Sequence, residues 1–219
     1  MTLLSEIQGV LERTYAPTGL ALEECLISRQ RSEQLQSILP PAQRSLCGWA
    51  HTFLRIQNER LYVALYYHPR LISRLETEPP HQSISHRNIH ALMAFTEEIT
   101  HGVHACLAYR RGLWKNVDLQ SPVLACDLET RAKVDTYFLI LRFIRLLAGQ
   151  LDENSKQWVK HCLFATDTVA EPYEKRYRIA NWLAQKAIIK MEAVSDGNSA
   201  PLIRYFQPLP LIEKWRWVR

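Results

Sequence analysis

Along most of this 219-residue chain, apolar residues recur at helical spacing. Leu3, Leu4, Ile7, Val10 and Leu11 lie three and four apart, and the pattern ends before Pro17. A weaker helical stretch runs from Leu20 to Leu39 and stops at Pro40-Pro41. A short helix opens at Pro69 and ends before Pro79-Pro80. Ser85 reads as the cap of a long helix to Arg111, with Gly112 at the expected C-terminal position. Ser121-Pro122 pairs a cap with proline at the first helical residue, opening a helix that runs to Ala148 and stops at Gly149. A shorter helix covers 152–164. Thr168-x-x-Glu171 and Pro172 introduce another, to about Val194, followed by a loop at Ser195–Ser199. Pro208 and Pro210 precede a last short helix ending in Trp215 and Trp217.

One region breaks the helical period. Thr52–Gln57 and Leu61–Tyr67 are rich in β-branched and aromatic residues, and they flank Asn58-Glu59-Arg60. That spacing predicts a hairpin with a three-residue loop, and a helix through 52–67 is the competing pattern. A lone hairpin is marginal in water, so it must lie on helices. The expected fold is mainly α, a single domain over 1–219. It is a bundle of about seven to eight helices with one small hairpin near 52–67. Residues 201–219 form an aromatic, basic segment that packs on this domain or on a partner.

Composition narrows the class. Hydrophobic residues at 47% and charged residues at 22% fit a globular chain and argue against disorder. With 7 Gly, the chain is poor in the turn residues that an all-β fold needs. The longest apolar run, Tyr137–Ile144, is interrupted by Arg142 and falls short of the ~20 residues that span a bilayer, so no membrane segment is expected. The N-terminus has no basic stretch followed by an apolar core, so no signal peptide is expected. Five scattered cysteines without a Cys-x-x-Cys pattern read as reduced core thiols in a cytoplasmic protein.

Charge divides the chain in two. Residues 1–100 hold 9 Arg, no Lys and 10 acidic residues, a net of −1; residues 101–219 hold 18 Lys and Arg against 12 acidic residues, a net of +6. Such asymmetry suits an acidic partner or nucleic acid, and it also suits a soluble domain that stays dispersed.

Two helices concentrate the chemistry. Glu97, Glu98, His101 and His104 occupy consecutive turns, on the side opposite the stripe of Leu92, Phe95, Ile99 and Val103. As a solvated polar face they would leave Glu97 and His101 paired. Ala91, Ala94, Ala105 and Ala108 share that half, and small side chains there let another element approach. On the next helix Asp135 interrupts a stripe of Leu128, Ala132, Leu139 and Phe143. A carboxylate so placed needs a cation or several donors, because burying it alone costs several kcal/mol. Arg142, or a histidine or arginine of the 85–111 helix, could supply them. A structural ion pair is the favoured reading of Asp135, ahead of a functional acid, base or ligand.

Glu98-x-x-His101 resembles half of the ligand set of ferritin-like di-metal bundles, which would imply iron and a bridging carboxylate such as Glu129. The second Glu-x-x-His that such a site requires is absent from the sequence. A mononuclear iron or zinc site from Glu97, His101 and His104 needs fewer partners. Phosphate-cradling glycine loops, nucleophile elbows and His-Glu-x-x-His are all missing.

The C-terminal third points elsewhere. Lys175, Arg178, Trp182 and Lys186 form a basic stripe with an aromatic inside it, and the tail adds Lys214, Trp215, Arg216 and Trp217. Cations beside rings suit interface anchors or stacked single-stranded nucleic acid. The favoured expectation is a non-catalytic accessory or regulatory protein without a cofactor, docking a protein partner or a second copy of itself through this region. The alternatives, in order, are a metal-binding protein or oxidoreductase centred on Glu98 and His101, and an RNA or single-stranded nucleic-acid binder.

Overall fold

Why each segment folds as it does is clearest at its ends. A computed structural model describes residues 2–39, 44, 48–114, 118–119, 121–165, 174–194 and 199–219. Among the described residues there are nine α-helices, one 3-10 turn and one two-stranded antiparallel sheet, a mainly α fold with a small hairpin. Thr2 caps α1 (Leu3–Thr14) by accepting from the Ser5 amide. His68 and Pro69 start α3 (Pro69–Thr77). Asp152 caps α6 (Glu153–Phe164) through the Ser155 amide at 2.7 Å. The long α5 (Pro122–Ala148) begins on proline and ends at Gly149, whose left-handed backbone at φ 75° closes the helix.

Four local expectations change. The 20–39 stretch is not one helix. It divides into the 3-10 turn Leu22–Cys25 and α2 (Arg29–Ser37) because the Ile27 amide bonds to the Leu65 carbonyl at 2.9 Å. That edge bond with the second strand takes a donor that a helix would have used. The long helix α4 (Ile89–Arg110) starts after Ser85. Asn88, fully buried, donates to the carbonyls of Glu78 and Ser83 and accepts from the Ser85 amide, which forms a separate turn ahead of the helix. The hairpin turn has two residues: β1 (Ala50–Gln57) and β2 (Arg60–Tyr67) pair in a register that opposes Gln57 to Arg60. Asn58 at φ 50° and Glu59 at φ 56° are both left-handed, the geometry that matches strand twist in a tight hairpin. Finally, α8 (Ala200–Phe206) gave no periodic signal, since seven residues make barely two turns. The proposed helix start at Thr168–Pro172 and the 195–198 part of the Ser195–Ser199 loop lie outside the described residues, as does Cys47.

The helices α4 and α5 pack against each other at the centre; α4 is buried on nearly every side, and α5 is through Ala132–Tyr137. The hairpin and α1 cover α4, while α7 (Glu174–Val194) and α6 cover α5. A Cβ on Gly102 would stand 3.1 Å from the Leu22 side chain, so a larger residue there would have to push Leu22 aside. The C-terminal α8 and α9 (Leu211–Val218) close the bundle, seating Ile203, Phe206 and Lys214 inside it. No helix of the described residues is long and apolar enough to cross a membrane. Cys25 is half-buried, and Cys106, Cys126 and Cys162 are buried free thiols.

Glu59 has a side chain where glycine is preferred, and its carbonyl already accepts from the Tyr109 hydroxyl. Glu59→Gly removes the left-handed penalty and keeps that bond, so it should stabilise the fold by about 0.5–1 kcal/mol. An unchanged or lowered midpoint in thermal unfolding would show that the turn carries no such strain.

Candidate functional site

Six consecutive residues of α5, Ala132 to Tyr137, are buried, and the ionisable groups from Asp127 to Tyr137 reach partners on α4, α7 and α9. Asp127 meets Lys214 of α9 and Arg131 of its own helix, the latter at 2.7 Å. Glu129 lies 3.8 Å from His101 of α4. Lys133 bonds Glu97 of α4 at 2.9 Å. Asp135 bonds His104 of α4 at 2.7 Å. The Tyr137 hydroxyl reaches Glu192 of α7, which also holds Lys160 of α6.

The histidines of α4 consequently belong to two separate environments. His101 stands between Glu98, 3.4 Å from its Nδ1, and Glu129, 3.8 Å from its Nε2. Thr52 of β1 donates to Glu98 at 2.6 Å, fixing the carboxylate from above. Burial pulls the His101 pKa down, but the bond to Glu98 and the charges of Glu129 and Glu97 outweigh it and hold the ring at about 9. Burial alone would raise the Glu98 carboxyl, yet His101, His51 and Thr52 keep it below its usual range. Glu97 moves the other way, pushed up by burial against the pull of Lys133. The expected Glu97–His101 pair is therefore replaced by Glu97–Lys133 and Glu98–His101, because α5 brings a lysine to the first carboxylate.

His104 is 3% exposed, and burial holds its pKa below 6.5 despite Asp135, with Arg131 and Lys214 adding to the depression. A neutral ring this close to a carboxylate donates from Nε2. Asp135 accepts two further bonds, from the Tyr15 hydroxyl and from the Gln207 amide at 2.8 Å. Three donors from α1, α4 and the end of α8 thus satisfy the carboxylate that interrupts the α5 stripe. Burial, followed by the charge of Asp135, lifts the Tyr15 hydroxyl well above its ordinary range, so it stays protonated as a donor.

A metal at His101 would have to displace the proton that Glu98 and Glu129 hold there to about 9. Among the described residues, no group of three His, Cys, Asp or Glu is arranged to hold a metal ion. His104 spends its Nε2 on Asp135. Glu97, Glu98, His101 and Glu129 do come together across α4 and α5. His104 and Asp135 join each other apart from them. Sequence reasoning missed Thr52, His51, Tyr15 and Gln207, which lie 46 to 120 positions from their partners and carry no local pattern.

The C-terminal residues form a surface. Lys175, Arg178, Trp182 and Lys186 are exposed along one face of α7. Trp182, 39% exposed, stacks on Trp215 with ring centres 4.6 Å apart and planes at 29°. Arg219 lies over the Trp215 ring at 6.0 Å. Arg216 is exposed and pairs with Glu213 at 2.6 Å. Two residues placed on this surface by sequence lie elsewhere. Lys214 is completely buried against Asp127, because it faces inward on the turn where Trp215 and Arg216 face out. Trp217 packs on Phe206, 5.1 Å away, and joins the core. Against known proteins, the chain matches no family model, no curated sequence and no solved structure.

Lys214 and His101 make opposite demands on pH. Folding raises the His101 pKa from 6.5 to about 9, so its stabilisation is complete below 6.5 and disappears as pH rises through 9. Burial, helped by Arg131, lowers Lys214 from 10.5 to about 7, so its cost to the fold is relieved as pH climbs from 7 toward 10.5. Between pH 7 and 9 the two slopes oppose each other. Lys214→Met should expose the His101 slope, a fall of about 3 kcal/mol in unfolding free energy from pH 6.5 to 9. A flat profile in denaturant titrations of that variant would contradict the buried imidazolium.

Proposed function

We propose that this chain is a non-catalytic docking protein whose α7–α9 face receives an acidic protein partner. The observation that carries the reading is the half-exposed Trp182–Trp215 stack set among cations. Aromatic anchors with basic neighbours are what interface hot spots are made of. On α9, Ile212, Trp215, Arg216 and Arg219 share one side, and Ile212 is 61% exposed. On α7, Lys175, Arg178 and Lys186 run beside Trp182. The face is also rigid. Lys214 ties α9 to Asp127 from below, and the Lys190 ammonium donates to the Trp217 carbonyl while lying over its ring at 5.1 Å. A preformed anchor loses little freedom on binding.

Two features favour protein over nucleic acid. The Trp215 ring is already engaged by Trp182 and by the Arg219 guanidinium, whereas base recognition needs free ring faces. Exposed Ile212 adds an aliphatic contact with no use in stacking bases. A second copy of the chain fits poorly, because a two-fold contact through this face would oppose like charges.

A photo-crosslinking residue at Gln185, exposed between Trp182 and Lys186, tests this in the cells that make the protein. The expected result is one discrete protein adduct that weakens with added salt. It should disappear in Lys175→Glu/Lys186→Glu and in Trp182→Ala, a truncation expected to cost about 2 kcal/mol of binding. No adduct, an adduct indifferent to these changes, or an adduct to nucleic acid would each overturn the reading.

A further inference from the structure

Along α5, with Tyr15 and Asp135 in its lining, a half-open groove of about 360 Å³ runs between α1, α5, α6 and α8. Its volume falls within the range of small-molecule sites, ~300–1,000 Å³. Six residues of α5 line it: Asp135, Phe138, Leu139, Leu141, Arg142 and Arg145, with Asp135, Phe138 or Leu139, Arg142 and Arg145 on successive turns. Leu11 of α1 and Ile203 of α8 complete an apolar wall.

The charges in this groove do not cancel. Of its carboxylates, Asp135 is held by Tyr15, His104 and Gln207, and Glu192 is held by Tyr137 and Lys160. Lys156 pairs with Glu153 at 3.2 Å. Arg142 and Arg145 have no acidic partner among the described residues, although both line the groove. Two unneutralised guanidinium groups one turn apart, beside an apolar wall, complement a ligand with an anionic head and an apolar body. Guanidinium presents paired donors that match a carboxylate. Asp135 and Glu192 nearby disfavour a second negative charge, which argues for a monoanion over a phosphate dianion.

We infer that the α1–α5–α6–α8 groove binds a small amphipathic carboxylate, its head on Arg142 and Arg145 and its chain against Leu11, Phe138, Leu139 and Ile203. This site is independent of the α7–α9 docking face. It could serve as a ligand site of the same protein whether or not that face has a partner.

Titration calorimetry of the full chain with decanoate, decanol, decylammonium and decyl phosphate, each below its micellar concentration, tests the assignment. Decanoate should bind with one-to-one stoichiometry, and at least tenfold more tightly than decanol or decylammonium. Arg142→Ala/Arg145→Ala changes two exposed side chains, so it should fold normally and weaken decanoate at least tenfold while leaving decanol unchanged. Ala200→Trp, which fills the groove, should abolish binding of both. Absence of saturable decanoate binding, equal binding of decylammonium, or full affinity in the double arginine variant would overturn the proposal. Tighter binding of decyl phosphate than of decanoate would overturn the monoanion assignment.

Discussion

Helix α5 can occupy the centre of this fold because each ionisable group it buries is met by an opposite charge or a set of donors from another element. An unmatched carboxylate or ammonium at such depth would cost several kcal/mol, a large part of a domain's total stability. The matching is spread widely. Asp127 is satisfied by α9, Glu129 and Lys133 by α4, Asp135 by α1, α4 and the end of α8, and Tyr137 by α7. Buried pairs of this kind roughly offset their own desolvation rather than add stability. Their effect is on specificity: one rotation of α5 satisfies all of these partners at once, so the helix has a defined setting among its neighbours.

That constraint also explains the fate of the Glu97–His104 segment. Residues that look like a ligand set in sequence are divided by α5 into a charged imidazole between two carboxylates and a neutral imidazole on a third. In both, the imidazole faces carboxylates of α4 or α5, and Lys133 takes Glu97. The same arrangement reaches the surface. Lys214, pinned to Asp127, fixes α9 so that Trp215 lies on Trp182, and the docking face is thereby tied to the polar centre.

Much of the architecture could be read from local pattern. Proline at the start of α3 and α5, glycine after α4 and α5, and periodic leucines each act within a few residues, and they located the long helices. The β-rich runs located the hairpin, but the turn was one residue shorter than expected because Glu59 adopts a conformation its side chain disfavours. The division of 20–39 came from a distant strand edge at Leu65, which no local rule contains. The site followed the same division. Asp135 was legible as a buried carboxylate, since it interrupts an apolar stripe, and a histidine of α4 was among its expected partners. Tyr15 and Gln207 were not legible, because they meet Asp135 only after the chain has closed on itself. Lys214 was misplaced on the surface because a lysine flanked by Glu213 and Trp215 carries no local sign of an inward turn.

The most direct measurement of this account is an NMR titration of the His101 and His104 imidazoles in the native protein, assigned by single replacement of each. Matched burial predicts that two rings one turn apart on α4 titrate far from each other. His101 should stay protonated to about pH 9, and His104 should stay neutral to below 6.5. Two rings titrating together near 6.5 would mean that neither meets its carboxylates as described, and the central role of α5 would fail with them.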